Sequence, residues 1–223
     1  MSTTAEGATG LTVEELKHIY RNKRREITDR LAEFAEVGRE ASDERLFEEL
    51  TFCIYTAGAS AKMGLRSVER VRSVLMTGSQ KEIEHALERT HMWPEQRAER
   101  LYQTREYLRQ HCKLRMRELL EGFSSADERR DFFAANPGIR GIGYKEASHF
   151  LRNIGYRGYA ILDKHILARL AEFEVIESPK PASTKKKYVA IEEKMKGFAQ
   201  QVRIDFDELD LLLWYTKTGE ILK

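Results

Sequence analysis

The chain has 223 residues, 41% of them apolar and 33% charged, with a formal net charge of only +2 and two cysteines. That length suits one large domain or two small lobes around a filled core, and the near-neutral balance means that any nucleic-acid surface must come from local clustering of charge. Cys53 and Cys112 lack metal-ligand spacing, which excludes a disulfide framework, an iron–sulfur cluster and a cysteine zinc site; no apolar run is long enough to span a membrane.

Residues 1–11 begin MSTTAEGATG, small and polar, and are expected to form a disordered tail without a targeting signal on an intracellular protein. Thr12-x-x-Glu15 is a capping box that opens a long amphipathic helix, with Leu16, Ile19, Tyr20, Ile27, Leu31 and Phe34 on one side and Gly38 as its stop. Leu46, Leu50 and Ile54 mark a second helix, with Phe47 beside the stripe. Val68, Val71 and Leu75 mark a third, ending at Gly78. Ser79-x-x-Glu82 starts a fourth, Pro94 stands in the first turn of the next, and Leu114 to Leu120 gives a short one.

Ser125-x-x-Glu128 caps a helix that ends at Asn136-Pro137, ahead of Ile139-Arg140-Gly141-Ile142-Gly143-Tyr144-Lys145. The next helix buries Ala147, Phe150, Leu151 and Ile154 and stops at Gly155. Residues 126–154 therefore read as a helix–hairpin–helix. After the irregular stretch 157–162, Asp163 stands at a helix N-cap position before His165-Ile166-Leu167. The Ser178-Pro179-Lys180-Pro181 turn then precedes helices over about 184–202 and 205–216. With no sustained period of two, the expected class is all-α.

The candidate site lies at the hairpin. Two glycines let the backbone approach a ligand closely, and a helix N-terminus offers N–H donors and the positive end of a dipole to a phosphate. Lys145 follows on the first helical turn, and a neutral lysine amine is a nucleophile. If the helix after Gly155 folds back, the Asp163 carboxylate comes near that amine. Taken singly, the hairpin is equally an interhelical turn, Asp163 a helix cap and Lys145 a solvated residue; the joint pattern is what points to chemistry.

Gly141-Ile142-Gly143-Tyr144-Lys145 followed by Ile161-Leu162-Asp163-Lys164-His165 resembles the helix–hairpin–helix glycosylase superfamily. The longer string 141–153 (GIGYKEASHFLRN), together with 46–54 (LFEELTFCI) and 214–223 (WYTKTGEILK), resembles its archaeal-type 8-oxoguanine DNA glycosylase/AP lyase branch. This resemblance implies a single glycosylase domain over 12–223, built as a two-lobed helical bundle with the active site in the cleft between lobes. It implies action on double-stranded DNA that contains 8-oxoguanine; the chain is expected to be a monomer and, without a targeting signal, to work in the cytoplasm with the nucleoid.

Within that family pattern Lys145 attacks the sugar C1′ of the flipped-out nucleotide. Asp163 accepts a proton or stabilises the oxocarbenium-like charge as the base leaves, and β-elimination from the lysine imine cuts the strand. No metal or redox cofactor is required, although the Ile139 and Ile142 carbonyls could seat a monovalent cation that bridges to phosphate. The amides of Gly141 and Gly143, and His165, are expected to contact phosphate, with a core role for His165 the alternative. Trp214 or Trp93 is expected to stack on the base, Trp214 being equally readable as core. The carboxylate of Lys223 is expected to accept the N7 proton that distinguishes 8-oxoguanine from guanine. Lys185-Lys186-Lys187 is read as a solvated helix start. Two rivals stay open: a non-catalytic helix–hairpin–helix DNA-binding module, and a glycosylase for another lesion such as an oxidised pyrimidine or mispaired adenine.

Overall fold

The computed structural model describes residues 10–222, so Lys223 and most of the expected tail lie outside the described residues. Among the described residues there are eleven α-helices, a 3₁₀ turn and no strand. In order these are α1 (Val13–Glu40), α2 (Asp43–Thr56), α3 (Ala61–Val71) running into the 3₁₀ turn Arg72–Val74, α4 (Gln80–Leu87), α5 (Pro94–Cys112) and α6 (Met116–Glu121), then α7 (Ala126–Ala135), α8 (Tyr144–Asn153), α9 (Lys164–Glu172), α10 (Lys185–Val202) and α11 (Phe206–Thr218). No helix is long and apolar enough to cross a membrane. The chain forms two compact units, one over Arg30–Ile161 and one over Leu162–Ile221 with the start of the chain up to Asp29.

In the first unit α2 is buried from Leu46 to Thr56, on all its faces, which is why its apolar residues spill beyond one stripe. It packs against α3, α5, α6 and α8. Each fully enclosed side chain among Leu46, Phe47, Leu50 and Phe52 contributes about 1.5–3 kcal/mol of burial energy. Charged side chains finish the surrounding helices. Arg105 donates to the Leu75 carbonyl at 2.9 Å and the Gly78 carbonyl at 2.6 Å, and Arg117 donates to the carbonyls of Gly38 at 2.8 Å and Ala41 at 2.6 Å. These bonds satisfy carbonyls that a helix end leaves without an internal partner.

Gly38 does not stop the first helix, which continues to Glu40. A Cβ at this position would stand 2.1 Å from the Ile154 carbonyl oxygen. The glycine is there because the backbone at the end of α8 comes within touching distance, not because the chain turns. The short helix expected over 114–120 begins at Met116, since Lys113 and Leu114 both take left-handed backbone, at φ +54° and +59°. The caps read from sequence at Thr12, Ser79, Ser125 and Asp163 all form.

In the second unit α11 packs against α9 and α10. Leu209 and Leu211–Leu213 supply its core.

Candidate active site

The hairpin of the first unit is built on α5. Pro137 removes a backbone donor and ends α7. Asn136 then turns the chain: its Oδ1 accepts from the Gly138 N–H at 2.9 Å and its carbonyl accepts from the Ile139 N–H at 3.0 Å. Its amide also donates to the Tyr107 hydroxyl at 2.8 Å, and the Arg140 N–H donates to Thr104 Oγ1 at 2.9 Å. Two α5 side chains thus pin the front of the hairpin. Ile139 and Ile142 are buried beneath it, and among the described residues no hydrogen bond reaches either carbonyl.

The two glycines differ in what demands them. Gly141 has φ +77°, and a Cβ there would meet Arg100 Cδ at 2.7 Å. Gly143 has an ordinary φ of −112°, and its added Cβ would meet only Glu146 Oε2, at 3.4 Å. Conformation therefore explains Gly141 and leaves Gly143 to be explained by whatever approaches its backbone.

Lys145 stands on the first turn of α8 with 26% of its side chain exposed. Its Nζ lies 2.8 Å from Glu146 Oε1, while Glu146 Oε2 accepts from the Gly143 N–H at 3.2 Å. One carboxylate joins the lysine amine to the hairpin. The Gly143 N–H assigned to phosphate is thus occupied by an internal anion, because the N3 side chain of a helix reaches back to the N-cap amide. Tyr144 ties α8 to α7 through a 2.8 Å bond to Asp131; burial, then that carboxylate, push its hydroxyl up to about 12.

Trp93, also in the first unit, precedes Pro94 at the start of α5 and is 44% exposed. His91 holds this corner: its Nε2 donates to the Tyr55 carbonyl at 2.9 Å and its Nδ1 accepts from the Trp93 N–H at 3.1 Å. Burial pushes His91 below the ordinary histidine range, which suits a ring that both donates and accepts. Arg97, 2% exposed, places its guanidinium 5.5 Å from the Trp93 ring and donates to the Ala57 carbonyl.

Asp163 belongs to the second unit and is the N-cap of α9. A single oxygen, Oδ1, accepts both the His165 N–H at 2.8 Å and the Ile166 N–H at 2.9 Å. Oδ2 enters no hydrogen bond among the described residues. Capping and chemistry were alternatives in the sequence; here capping occupies one oxygen of the carboxylate and leaves the other without a hydrogen bond among the described residues. His165, on the first turn of α9, is part-buried. Trp214 is likewise part-buried, at the edge of the enclosed run of α11. Lys185, Lys186 and Lys187 are exposed at the start of α10, as a solvated helix start should be.

Lys145, Glu146 and the hairpin therefore sit in one unit and Asp163, His165 and Trp214 in the other. Neither Glu146 nor Arg97 was singled out by the sequence, because a charged residue at a helical position looks solvent-facing until its partners are known.

The family described as 8-oxoguanine DNA glycosylase matches residues 27–204 of this chain. A protein of Korarchaeum cryptofilum named 8-oxoguanine DNA glycosylase/AP lyase is 36% identical over 95% of this chain and 97% of its own length. A protein of Methanocaldococcus jannaschii with the same name is 34% identical over 95% and 97%. Among solved structures, the Methanocaldococcus jannaschii glycosylase/lyase in complex with a 15mer DNA containing 8-oxoguanine superposes with a TM-score of 0.85 at 33% identity, covering 95% of this chain and 99% of that one. The Thermotoga maritima 8-oxoguanine DNA glycosylase gives a TM-score of 0.84 at 32% identity, covering 95% and 98%. With its helix–hairpin–helix, its hairpin lysine and similarity along nearly its whole length, the chain belongs to the 8-oxoguanine DNA glycosylase family.

Proposed function

We propose that this protein excises 8-oxoguanine from double-stranded DNA and then nicks the abasic strand, with Lys145 as nucleophile and Asp163 as the residue that stabilises the departing state. The observation that carries this reading is a lysine amine behind a glycine hairpin in one unit and a carboxylate with an uncommitted oxygen at a helix start in the other, in a chain whose relatives are named glycosylase/AP lyases.

The C1′ of a stacked nucleotide is out of reach, so the base must first leave the helix. The neutral amine of Lys145 then bonds to C1′ as the bond to the base breaks, and the leaving nitrogen takes a proton. Positive charge develops on the sugar at this point. A fixed carboxylate oxygen such as Asp163 Oδ2 stabilises it without reorganising, since Oδ1 is already tethered to two amides. Ring opening moves a proton to O4′ and leaves an imine between Lys145 and C1′. Loss of a C2′ proton then expels the 3′ phosphate.

The nucleophile and the stabilising carboxylate are both side chains of the chain itself, and no cofactor is assigned. The Ile139 and Ile142 carbonyls, which accept nothing among the described residues, suit a hard monovalent cation that bridges to phosphate. Trp93, which is exposed, and Trp214, which is part-buried, are the stacking faces offered to bases. A monomer acting on chromosomal DNA in the cytoplasm completes the reading.

Incubation with 8-oxoguanine duplex and borohydride tests it. A covalent protein–DNA adduct that the Lys145→Gln variant cannot form is the expected result. No adduct with any lesion duplex would return the chain to a DNA-binding module, and an adduct confined to an oxidised pyrimidine or mispaired adenine would change the substrate.

A further inference from the structure

We infer that Arg169 is a positioning residue for base excision: it locks the last turn of α11, which carries Trp214, in register with Asp163 at the head of α9. The inference rests on the proposed function, and all the groups concerned lie in the second unit.

Arg169 spreads its guanidinium over three acceptors. Nε donates to Thr216 Oγ1 at 2.8 Å, Nη2 to the Thr216 carbonyl at 2.7 Å, and Nη1 to Glu172 Oε2 at 2.5 Å. The side chain is 13% exposed, so this is no loose surface pair. Thr216 O is one of the last four carbonyls of α11 and has no partner within the helix, and a cation at a helix C-terminus also meets the negative end of its dipole. Glu172 closes the arrangement by accepting from Lys217 as well. Burial alone would raise the Glu172 carboxyl, but the bonds from Lys217 and Arg169 outweigh it and hold the group below its usual range.

The planar guanidinium makes this a clamp with a fixed geometry. It grips the hydroxyl and the carbonyl of one residue on α11 from a helix whose first amides are held by Asp163. Arg169 is six residues from Asp163, about 9 Å along the axis at ~1.5 Å per residue. Trp214 is two residues before the gripped Thr216. A shift of the α11 turn would therefore move the indole relative to the carboxylate, and misplacement by about 1 Å is enough to slow a positioned reaction by roughly a hundredfold.

A residue that only glued the helices together would lower stability and depress all reactions in step. A positioning residue separates two of them. Removing an intact base needs both the stacking face and the carboxylate in register, whereas nicking a preformed abasic site has no base to hold. The experiment is single-turnover kinetics of wild type, Arg169→Met, Arg169→Lys and Thr216→Val on an 8-oxoguanine duplex and on a preformed abasic duplex, well below each protein's melting temperature.

Methionine keeps the packing of the arginine stem, and excision should fall by roughly ten- to a hundredfold while abasic-site nicking stays within about twofold. Lysine keeps the charge without the fork and should fall between. Thr216→Val, which loses one of the two gripped groups at nearly constant shape, should show a smaller loss of the same selective kind; it gives the answer even where Arg169→Met fails to fold. Equal losses in both reactions, or an unchanged ratio, overturn the clamp. A wild-type protein that nicks abasic DNA but removes no 8-oxoguanine overturns the proposed function instead, and the clamp with it.

Discussion

The starts of α8 and α9, which carry the two proposed catalytic residues, are finished in opposite ways. At α8 the N-cap is Gly143, which has no side chain, and the missing acceptor is lent by Glu146 from within the helix. At α9 the cap is Asp163 itself, bound to two amides through one oxygen. A helix start capped by glycine has to borrow its acceptor, here from Glu146, whereas one capped by aspartate is sealed and presents its own charge. The first arrangement can take a phosphate once the Glu146 side chain gives way, and the second suits meeting positive charge that develops during a reaction.

Four sets of substitutions break or sharpen this contrast. The largest effect belongs to Lys145→Gln, which should lower base excision and borohydride trapping by at least about a thousandfold, as expected when a nucleophile is removed; retained trapping would assign the imine to another amine. Next, Asp163→Asn should slow excision by roughly a hundredfold with little change in urea unfolding, because asparagine caps nearly as well as aspartate. Asp163→Ala should add a stability loss of about 1 kcal/mol. If Asp163→Asn excises as fast as wild type, the free oxygen has no chemical duty.

The glycines come third, and their test is a crossing of two measurements. Gly141→Ala forces a left-handed backbone and a contact with Arg100, and should destabilise the fold by about 2–4 kcal/mol. Gly143→Ala should lose no more than about 1 kcal/mol yet weaken duplex binding severalfold, since the added methyl group stands where a phosphate would approach. Smallest is Glu146→Gln. Removing the internal anion beside Lys145 should tighten binding to undamaged duplex by roughly two- to fivefold at low salt, an advantage that fades as salt screens the surface. Weaker binding would mean that Glu146 holds the hairpin in shape rather than holding a place for phosphate.

The helices were legible where their ends carry their own chemistry. Ser79 with Glu82, Pro94, Ser125, Gly155 and Asp163 all act on neighbours within a few residues, and so sequence spacing predicts them. The candidate lysine and aspartate were legible for the same local reason, as residues attached to a hairpin and a cap. Gly38 was misread because its reason is a backbone 116 positions further on, at Ile154. Arg97, Arg105, Arg117 and Arg169 all reach carbonyls contributed by other elements, and periodicity records only which face is apolar, not which distant carbonyl lacks a donor. Glu146 was present in the string used for the family resemblance, but its two-sided grip on Lys145 and Gly143 is a matter of rotamer.

The close passage at Gly38 bears on Lys145 from behind. Helix α8 carries the amine at its front end, and its rear end, at Ile154, rests against the backbone of α1 with no room for even one methyl group. Nine residues separate Ile154 from Lys145, about 14 Å at ~1.5 Å per residue, and a helix transmits a push along its axis with little compression because its hydrogen bonds run that way. The thickness of a glycine in α1 thus fixes the spacing at the rear of the helix whose front carries the lysine.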